Sequence, residues 1–169
     1  MNKDAKNKII KLVEEYMSEE TVKKETLDHI SKVSNNIDIF IEELELRKEL
    51  HDKSKLEYPE FETFVEFTPK LKNSTYGSDE YNQFLVDMKP ALDHHYANNS
   101  HHPEYHEDGI NGMTLVDLFE MFADWYAATQ RHADGDIMNS IELNKDRFEI
   151  SDQLCDILKN TTKLLNDKM

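Results

Sequence analysis

Residues 114–131 read TLVDLFEMFADWYAATQR, and this stretch decides the fold class. Its apolar side chains return every three or four positions, which is the period of one face of an α-helix. Thr114 followed by Asp117 matches the pattern that caps a helix start, so we predict a helix from 114 to about Ala133. Asp124 lies in the middle of this apolar stretch, where a carboxylate needs a compensating metal ion or salt bridge.

Helical periodicity extends over most of the remaining chain. We predict further helices near 4–17, 21–45, 46–54, 78–95, 137–148 and 151–166. Pro90 is expected to kink or restart the helix over 78–95, and the predicted caps are Ser78, Asp136 and Ser151. A short helix with an irregular connection is expected over 55–77, and a loop over 98–113. The sequence therefore predicts an all-α fold, a single domain over 1–169 built from a bundle of about six to eight helices.

The composition agrees with a helical protein and restricts the kinds of partner that the protein is expected to bind. Four glycines and four prolines among 169 residues leave few tight turns, and a net charge of −15 is unsuited to neutralising the phosphates of a long nucleic acid. The single cysteine excludes an intramolecular disulfide. The sequence contains neither a run of ~20 apolar residues nor the pattern of a signal peptide. We therefore expect a cytoplasmic protein without a membrane or long nucleic-acid partner.

Several histidines and aspartates are candidate metal ligands. They lie on the core-facing sides of predicted helices or in the predicted loop. His29 shares a helical stripe with Val33 and Phe40, which predicts an inward-pointing side chain. The other candidates are the adjacent pair His51 and Asp52, His95 on an apolar stripe, His101 and His102 in the loop, and Asp124. Histidine nitrogen with aspartate oxygen suits Fe, Mn or Zn, whereas calcium prefers oxygen ligands and structural zinc usually recruits cysteine.

The order of these residues resembles the HD superfamily of metal-dependent phosphohydrolases, in which a His, a His-Asp pair and a distant Asp follow one another along the chain. The similarity is greater to the branch of cyclic-dinucleotide phosphodiesterases, because Lys55 stands four positions after His51 and further histidines follow at 95, 101 and 102. The chain has Gly-Ile-Asn-Gly at 109–112 where that branch has Gly-Tyr-Pro. The stretch from His94 to Arg131 also resembles an uncharacterised family of small bacterial and phage proteins.

The resemblance implies an HD-like helical bundle that holds one or two divalent transition-metal ions, Fe, Mn or Zn. The ligands of the first ion would be His29, His51, Asp52 and Asp124, and those of the second would be His95 and His101 with Asp52 bridging. The implied reaction is attack of metal-activated water on the phosphorus of a small phosphorylated substrate such as a nucleotide. Lys55 and Arg131 would contact phosphate oxygens, and Glu104 or His102 would supply or orient a proton.

Two other functions stay open. Diiron oxygenases of the same superfamily are similar in their ligand order and in the Lys four positions after the paired His. A non-catalytic module, stabilised by metal and binding a nucleotide or a partner protein, is the third hypothesis. The sequence leaves open the substrate, the oligomeric state, and whether His101 or His102 faces the ion.

Overall fold

The computed structural model describes residues 2–16, 19–75, 78–131 and 135–168, and within these ranges it consists of helices joined by turns. The α-helices are α1 (Lys3–Tyr16), α2 (Glu19–Leu50), α3 (Glu60–Asn73), α4 (Asp79–Asp87), α5 (Lys89–Asn98), α6 (Leu115–Thr129), α7 (Ile137–Phe148) and α8 (Asp152–Asn166). Three short 3₁₀ turns occupy Lys53–Leu56, Pro103–Tyr105 and Gly109–Gly112. The all-α prediction is confirmed. The predicted helix ends at positions 17 and 133 lie outside the described residues.

The chain divides into two compact units. Met1–Glu43 contains α1 and the greater part of α2, and Leu44–Met169 contains the end of α2 and everything that follows. The single domain predicted over 1–169 stays a prediction. No helix in the described ranges has both the length and the apolar character that are needed to cross a membrane.

The predicted helix caps are confirmed, and they fix where four helices begin. Ser78 accepts a hydrogen bond from the backbone N–H of Tyr81 at the start of α4. Thr114 and Asp117 form a reciprocal capping box at the start of α6, and the side chains of Asp136 and Ser151 cap α7 and α8. Each cap satisfies an amide that the first helical turn leaves without a partner.

The structure differs from the sequence prediction around the His-Asp pair. α2 is one helix where two were expected over 21–45 and 46–54, and residues 21–50 contain no glycine or proline that would interrupt it. His51 and Asp52 therefore follow the helix in a turn. Asp52 has a left-handed backbone with a φ of 56°, a conformation that aspartate tolerates better than most residues.

The segment over 55–77 is also more helical than expected. α3 continues through Pro69, and its Phe67 packs edge-to-face against Phe84 of α4 with ring centroids 6.0 Å apart. Pro90 lies in the first turn of α5, so the helix restarts there, as the sequence predicted.

The apolar core of the second unit orients α6. Phe122 packs with buried residues of α7 and α8 and of their connection, namely Ile137, Ile141, Ile150, Cys155 and Leu158. Trp125 stacks on Phe148, with ring planes 9° apart. Because this face of α6 is taken up by the core, Glu120 and Asp124, which are one turn apart, lie on a different face of the helix.

Candidate metal centre

Four segments of the second unit bring histidines and carboxylates together. His51 and Asp52 come from the turn after α2, His95 comes from α5, His101 and His102 come from the loop after α5, and Glu120 and Asp124 come from α6. Three overlapping sets of ligand atoms each lie within 4.8 Å of one another: Asp52 with His95, His101 and His102; His51 with Asp52 and Asp124; and His51 with His101 and Glu120.

Asp52 is at the centre of the cluster. Its Oδ1 lies 3.3 Å from Nε2 of His95 and 3.7 Å from Nε2 of His101. Its Oδ2 lies 3.6 Å from Nε2 of His51, which is itself 3.8 Å from Oδ1 of Asp124. The two oxygens of one carboxylate thus face two different sets of ligands.

Buried carboxylates contact the Nδ1 atoms of the histidines, on the side of each ring that faces away from Asp52. Glu120 Oε1 lies 2.9 Å from Nδ1 of His51 and 3.2 Å from Nδ1 of His101, while Glu60 Oε2 lies 2.8 Å from Nδ1 of His95. An ionised carboxylate only accepts hydrogen bonds, so each of these Nδ1 atoms is assigned as the donor. In the neutral form that binds metal, His95 and His101 would then carry their lone pairs on Nε2, on the side of Asp52.

The hydrogen bonds of Glu120 indicate whether Glu120 itself would bind a metal ion or would position the histidines that bind it. Its second oxygen, Oε2, is 3.1 Å from Arg47 Nη1, and the same guanidinium nitrogen reaches Asp117 Oδ1 at 3.0 Å and Ser100 Oγ at 2.6 Å. Both oxygens of Glu120 therefore already have donors. We interpret Glu120 as a carboxylate that positions His51 and His101 rather than as a metal ligand.

Two buried atoms in the cluster lack a hydrogen-bond partner among the described residues: Asp52 Oδ1 and His101 Nε2. When His101 is neutral, both present lone pairs, so neither can satisfy the other, and burying such groups without a donor is costly. Two ligands of one ion at about 2.05 Å are about 2.9 Å apart at a right angle and about 3.3 Å apart at the tetrahedral angle. The Nε2 atoms of His95 and His102 are 2.9 Å apart, and Nε2 of His95 is 3.3 Å from Oδ1 of Asp52. These separations are compatible with atoms that share one metal ion.

The pKa shifts of the histidines differ within the cluster: the pKa of His51 is raised, and those of His95 and His102 are lowered. The carboxylate of Asp124, whose Oδ1 lies 3.8 Å from Nε2 of His51, and the hydrogen bond to Glu120 raise the pKa of His51 to about 10, against the opposing effect of burial. Burial, with neighbouring His101 and His95, lowers the pKa of His102 to about 3, and burial also lowers the pKa of His95. His95 and His102 are therefore neutral, the form that binds metal, while His51 must release a proton before its Nε2 can do so.

Of the predicted ligands, His51, Asp52, His95, His101 and Asp124 lie within these sets. His102, predicted as a substrate or proton-handling group, also belongs to one of them. His29 does not belong to any set found among the described residues, and the prediction that its side chain points inward is wrong, because it is exposed on α2 in the first unit.

The predicted phosphate-contacting and proton-transferring groups are dispersed. Lys55 Nζ is 2.6 Å from Asp52 Oδ2 and lies over the ring of Phe64. Glu104 pairs with Arg147 at 2.8 Å and lines a surface groove with Tyr96 and Tyr105. Arg131 is exposed in the turn after α6.

The sequence prediction missed Glu60 and Glu120. Glu120 stands four positions before Asp124, so the two share one face of a helix, and that spacing was available as a signal. Glu60 had no such signal, because its role depends on α3 packing against α5, two elements that a sequence pattern does not place together.

Fold and site together define an all-α protein with a buried cluster of histidines and carboxylates that is able to hold metal. The chain belongs to the Family of unknown function (DUF5662), whose sequence model matches residues 18–164. No curated protein matches the chain. No solved structure matches it either.

Proposed function

We propose that the protein is a metal-dependent phosphohydrolase or phosphodiesterase that acts on a small phosphate ester such as a nucleotide. The observation that carries the proposal is the group of Nε2 atoms of His51, His95 and His101 around the carboxylate of Asp52. Two of the atoms that face one another there, Asp52 Oδ1 and His101 Nε2, are buried without a hydrogen-bond partner in the described structure.

The ligands suggest two adjacent positions for divalent ions. One would use Asp52, His95, His101 and His102, and the other would use His51, Asp52 and Asp124. The choice among Fe, Mn and Zn follows from the nitrogen-rich donor set. An ion bound here would lower the pKa of a water ligand towards 7, so that hydroxide is available at neutral pH.

The order His51-Asp52, His95, His101, Asp124 along the chain supports membership of the HD superfamily as part of this proposal. The first histidine of that pattern, His29, is exposed in a different unit from the other ligands. We therefore propose that the position formed by His51, Asp52 and Asp124 uses no ligand from His29, and that His102 is a ligand at the other position, since its Nε2 is 2.9 Å from that of His95.

One further residue, Lys55, can act on a phosphate ester directly, while two buried carboxylates support the ligands. Lys55 is the nearest cation to the cluster, and its Nζ contacts the Oδ2 atom of Asp52. When Asp52 binds an ion, the ammonium of Lys55 is available to neutralise a phosphate oxygen within the same turn. Glu60 and Glu120 keep the imidazoles oriented throughout, because they contact only the Nδ1 side of each ring.

The activity test uses metal-stripped protein that is reloaded separately with Mn²⁺, Fe²⁺, Zn²⁺ and Mg²⁺. The substrates are 4-nitrophenyl phosphate, bis(4-nitrophenyl) phosphate and a panel of nucleoside mono-, di- and triphosphates and cyclic nucleotides. We expect metal-dependent hydrolysis that is lost in Asp52→Asn and retained in Asp156→Asn, a matched substitution at an exposed position of α8.

Absence of turnover with every metal and substrate would overturn the proposal. Oxygen uptake by the iron-loaded protein, with no hydrolysis, would show that the diiron oxygenase hypothesis is correct instead. Tight retention of a nucleotide without turnover would show a binding module.

A further inference from the structure

The part of α2 that lies in the first unit has an exposed apolar stripe. Its members return at helical spacing and are between 41% and 56% exposed: Leu27, Ile30, Val33, Ile37, Phe40 and Ile41. Within this unit, α1 and α2 make no extended contact with each other among the described residues. Water-exposed apolar side chains in a continuous row on one helix face indicate an interaction surface rather than scattered surface residues.

Four of the six stripe residues are arranged symmetrically about a point between Val33 and Ser34, while the positions equivalent to Val33 and Ile41 are Ser34 and Thr26. Leu27 and Phe40 are equally far from this point, and so are Ile30 and Ile37. When two copies of the helix run antiparallel around a twofold axis at this point, Leu27 of one copy comes level with Phe40 of the other, and Ile30 comes level with Ile37. A twofold interface requires such self-complementarity, whereas binding of an unrelated protein does not.

The charges on the same segment favour the antiparallel arrangement. Lys23, Lys24 and Glu25, with a net charge of +1, lie towards the beginning of the stripe, and Glu42 and Glu43, with a net charge of −2, lie at its end. Antiparallel pairing brings these groups of opposite net charge together: Lys24 of one copy comes level with Glu43 of the other, although Glu25 comes level with Glu42. Parallel pairing would align lysine with lysine and glutamate with glutamate, which is unfavourable at close range.

The area of the stripe reaches the lower limit for a specific interface. Six apolar side chains that are about half exposed provide roughly 90 Å² each, so two copies would bury about 1,100 Å² before any flanking residue is counted. Specific interfaces start near 1,000 Å² in total. The segment 19–43 is also about 37 Å long at the rise of an α-helix, which provides room for several turns of contact.

We propose that the protein forms a homodimer through residues 19–43 of α2, which pair antiparallel with the same segment of a second copy. The interface uses the apolar stripe and contains no residue of the metal cluster. The dimer is therefore independent of the proposed enzymatic activity.

The dimer is tested by sedimentation velocity of the full chain over a range of concentrations, comparing Ile37→Glu with Ile39→Glu. Both variants introduce the same charge on the same helix, but Ile39, which is 64% exposed, lies on the face opposite the stripe. We expect a dimer for the unaltered chain and for Ile39→Glu, and at least a 100-fold weaker dimer for Ile37→Glu. Circular dichroism checks that both variants keep the helical content of the parent.

A monomeric parent at 100 µM would overturn the proposal, and so would equal behaviour of the two glutamate variants.

The orientation is tested by disulfide formation with Ile30→Cys and Ile37→Cys. In the antiparallel dimer, position 30 of one copy is level with position 37 of the other. Position 30 of one copy is about 10 Å along the axis from position 30 of the other, and the same separation holds for position 37. We expect a crosslink only when the two variants are mixed. Crosslinking of each variant by itself would show a parallel pair and contradict the proposed arrangement.

Discussion

Nε2 of His101 and Oδ1 of Asp52 face each other at 3.7 Å, and both are buried without a hydrogen-bond partner among the described residues. Neither atom has a proton to offer when His101 is neutral and donates from Nδ1 to Glu120, which lies 3.2 Å away on the other side of the ring. A cation between or beside them would satisfy both lone pairs. This relationship is the physical basis of the proposed metal centre, and the predictions below test the groups that create it.

Glu60→Gln should weaken metal binding, because Glu60 accepts hydrogen bonds from Nδ1 of both His94 and His95. A glutamine has one acceptor oxygen and a donor amide, so it cannot serve both rings in the same way. We expect the dissociation constant for Mn²⁺ or Zn²⁺ to rise about 10- to 100-fold in isothermal titration calorimetry. The control is Glu62→Gln at an exposed position of α3, and a Glu60→Gln affinity equal to that of the control would contradict the assigned role.

Lys55→Met should reduce catalysis while leaving the metal bound. Lys55 contacts Asp52 from the outside of the cluster and does not belong to its donor sets. We expect kcat/KM for phosphate esters to fall about 100-fold, the typical loss when one group that stabilises developing charge is removed. The matched control is Lys53→Met, an exposed lysine in the same turn. Unchanged kcat/KM in Lys55→Met with full metal content would show that Lys55 does not contact the substrate.

Arg47→Met should destabilise the fold. The guanidinium of Arg47 bonds to Asp117 and Glu120, whose side chains are 3% and 10% exposed, so its removal leaves two buried carboxylates without their cation. We expect a loss of about 3 kcal/mol in the free energy of unfolding, measured by urea denaturation. Lys48→Met removes a cation from an exposed surface pair with Glu45 on the same helix and should change the free energy of unfolding far less. Similar losses in the two variants would show that the buried network contributes little.

Asp117→Asn should make stability less dependent on acid pH. Burial alone would raise the pKa of Asp117, but hydrogen bonds from Ser100 and Thr114 and the nearby Arg47 lower it below the usual 3.8. A carboxyl group with a lowered pKa in the folded state contributes stability above its unfolded pKa, and this contribution is lost as the pH falls through the folded value. We expect the Asp117→Asn variant to be about 2 kcal/mol less stable than the parent at pH 7.

That difference should shrink as the pH falls below 3.8, the ordinary value for this group. Urea unfolding of both chains between pH 3 and pH 7 measures it. A difference that stays constant over this range would mean that ionisation of Asp117 does not contribute to stability.

The sequence predicted the helices well where local signals define them. The capping box of Thr114 and Asp117 and the cap at Ser151 correctly placed the starts of α6 and α8. The break expected between 45 and 46 was wrong because no residue there disfavours a helix, and the long α2 places His51 and Asp52 in a turn. His29 was expected to face the core because its stripe is apolar, but an apolar stripe indicates only that a face needs covering, and this one is exposed.

Part of the site could be predicted from the sequence, because residue type and order identify metal ligands. His51, Asp52, His95, His101 and Asp124 were singled out by residue type and order, and the structure places them in overlapping sets of ligand atoms. The supporting groups Glu60, Glu120 and Arg47 were not singled out, because charged residues on helices are usually solvated. Their importance follows from their burial and from contacts over 35 to 73 positions of the chain.

The most direct test of the central claim is the metal content of the protein by inductively coupled plasma mass spectrometry. The protein is purified anaerobically, reloaded with Fe²⁺, Mn²⁺ or Zn²⁺ and dialysed. The account predicts one or two equivalents per chain in the parent and in Asp156→Asn, and loss of bound metal in Asp52→Asn, where asparagine keeps the shape of the side chain but removes its charge. A folded parent chain that retains no stoichiometric metal, or an Asp52→Asn chain that retains as much as the parent, would contradict it.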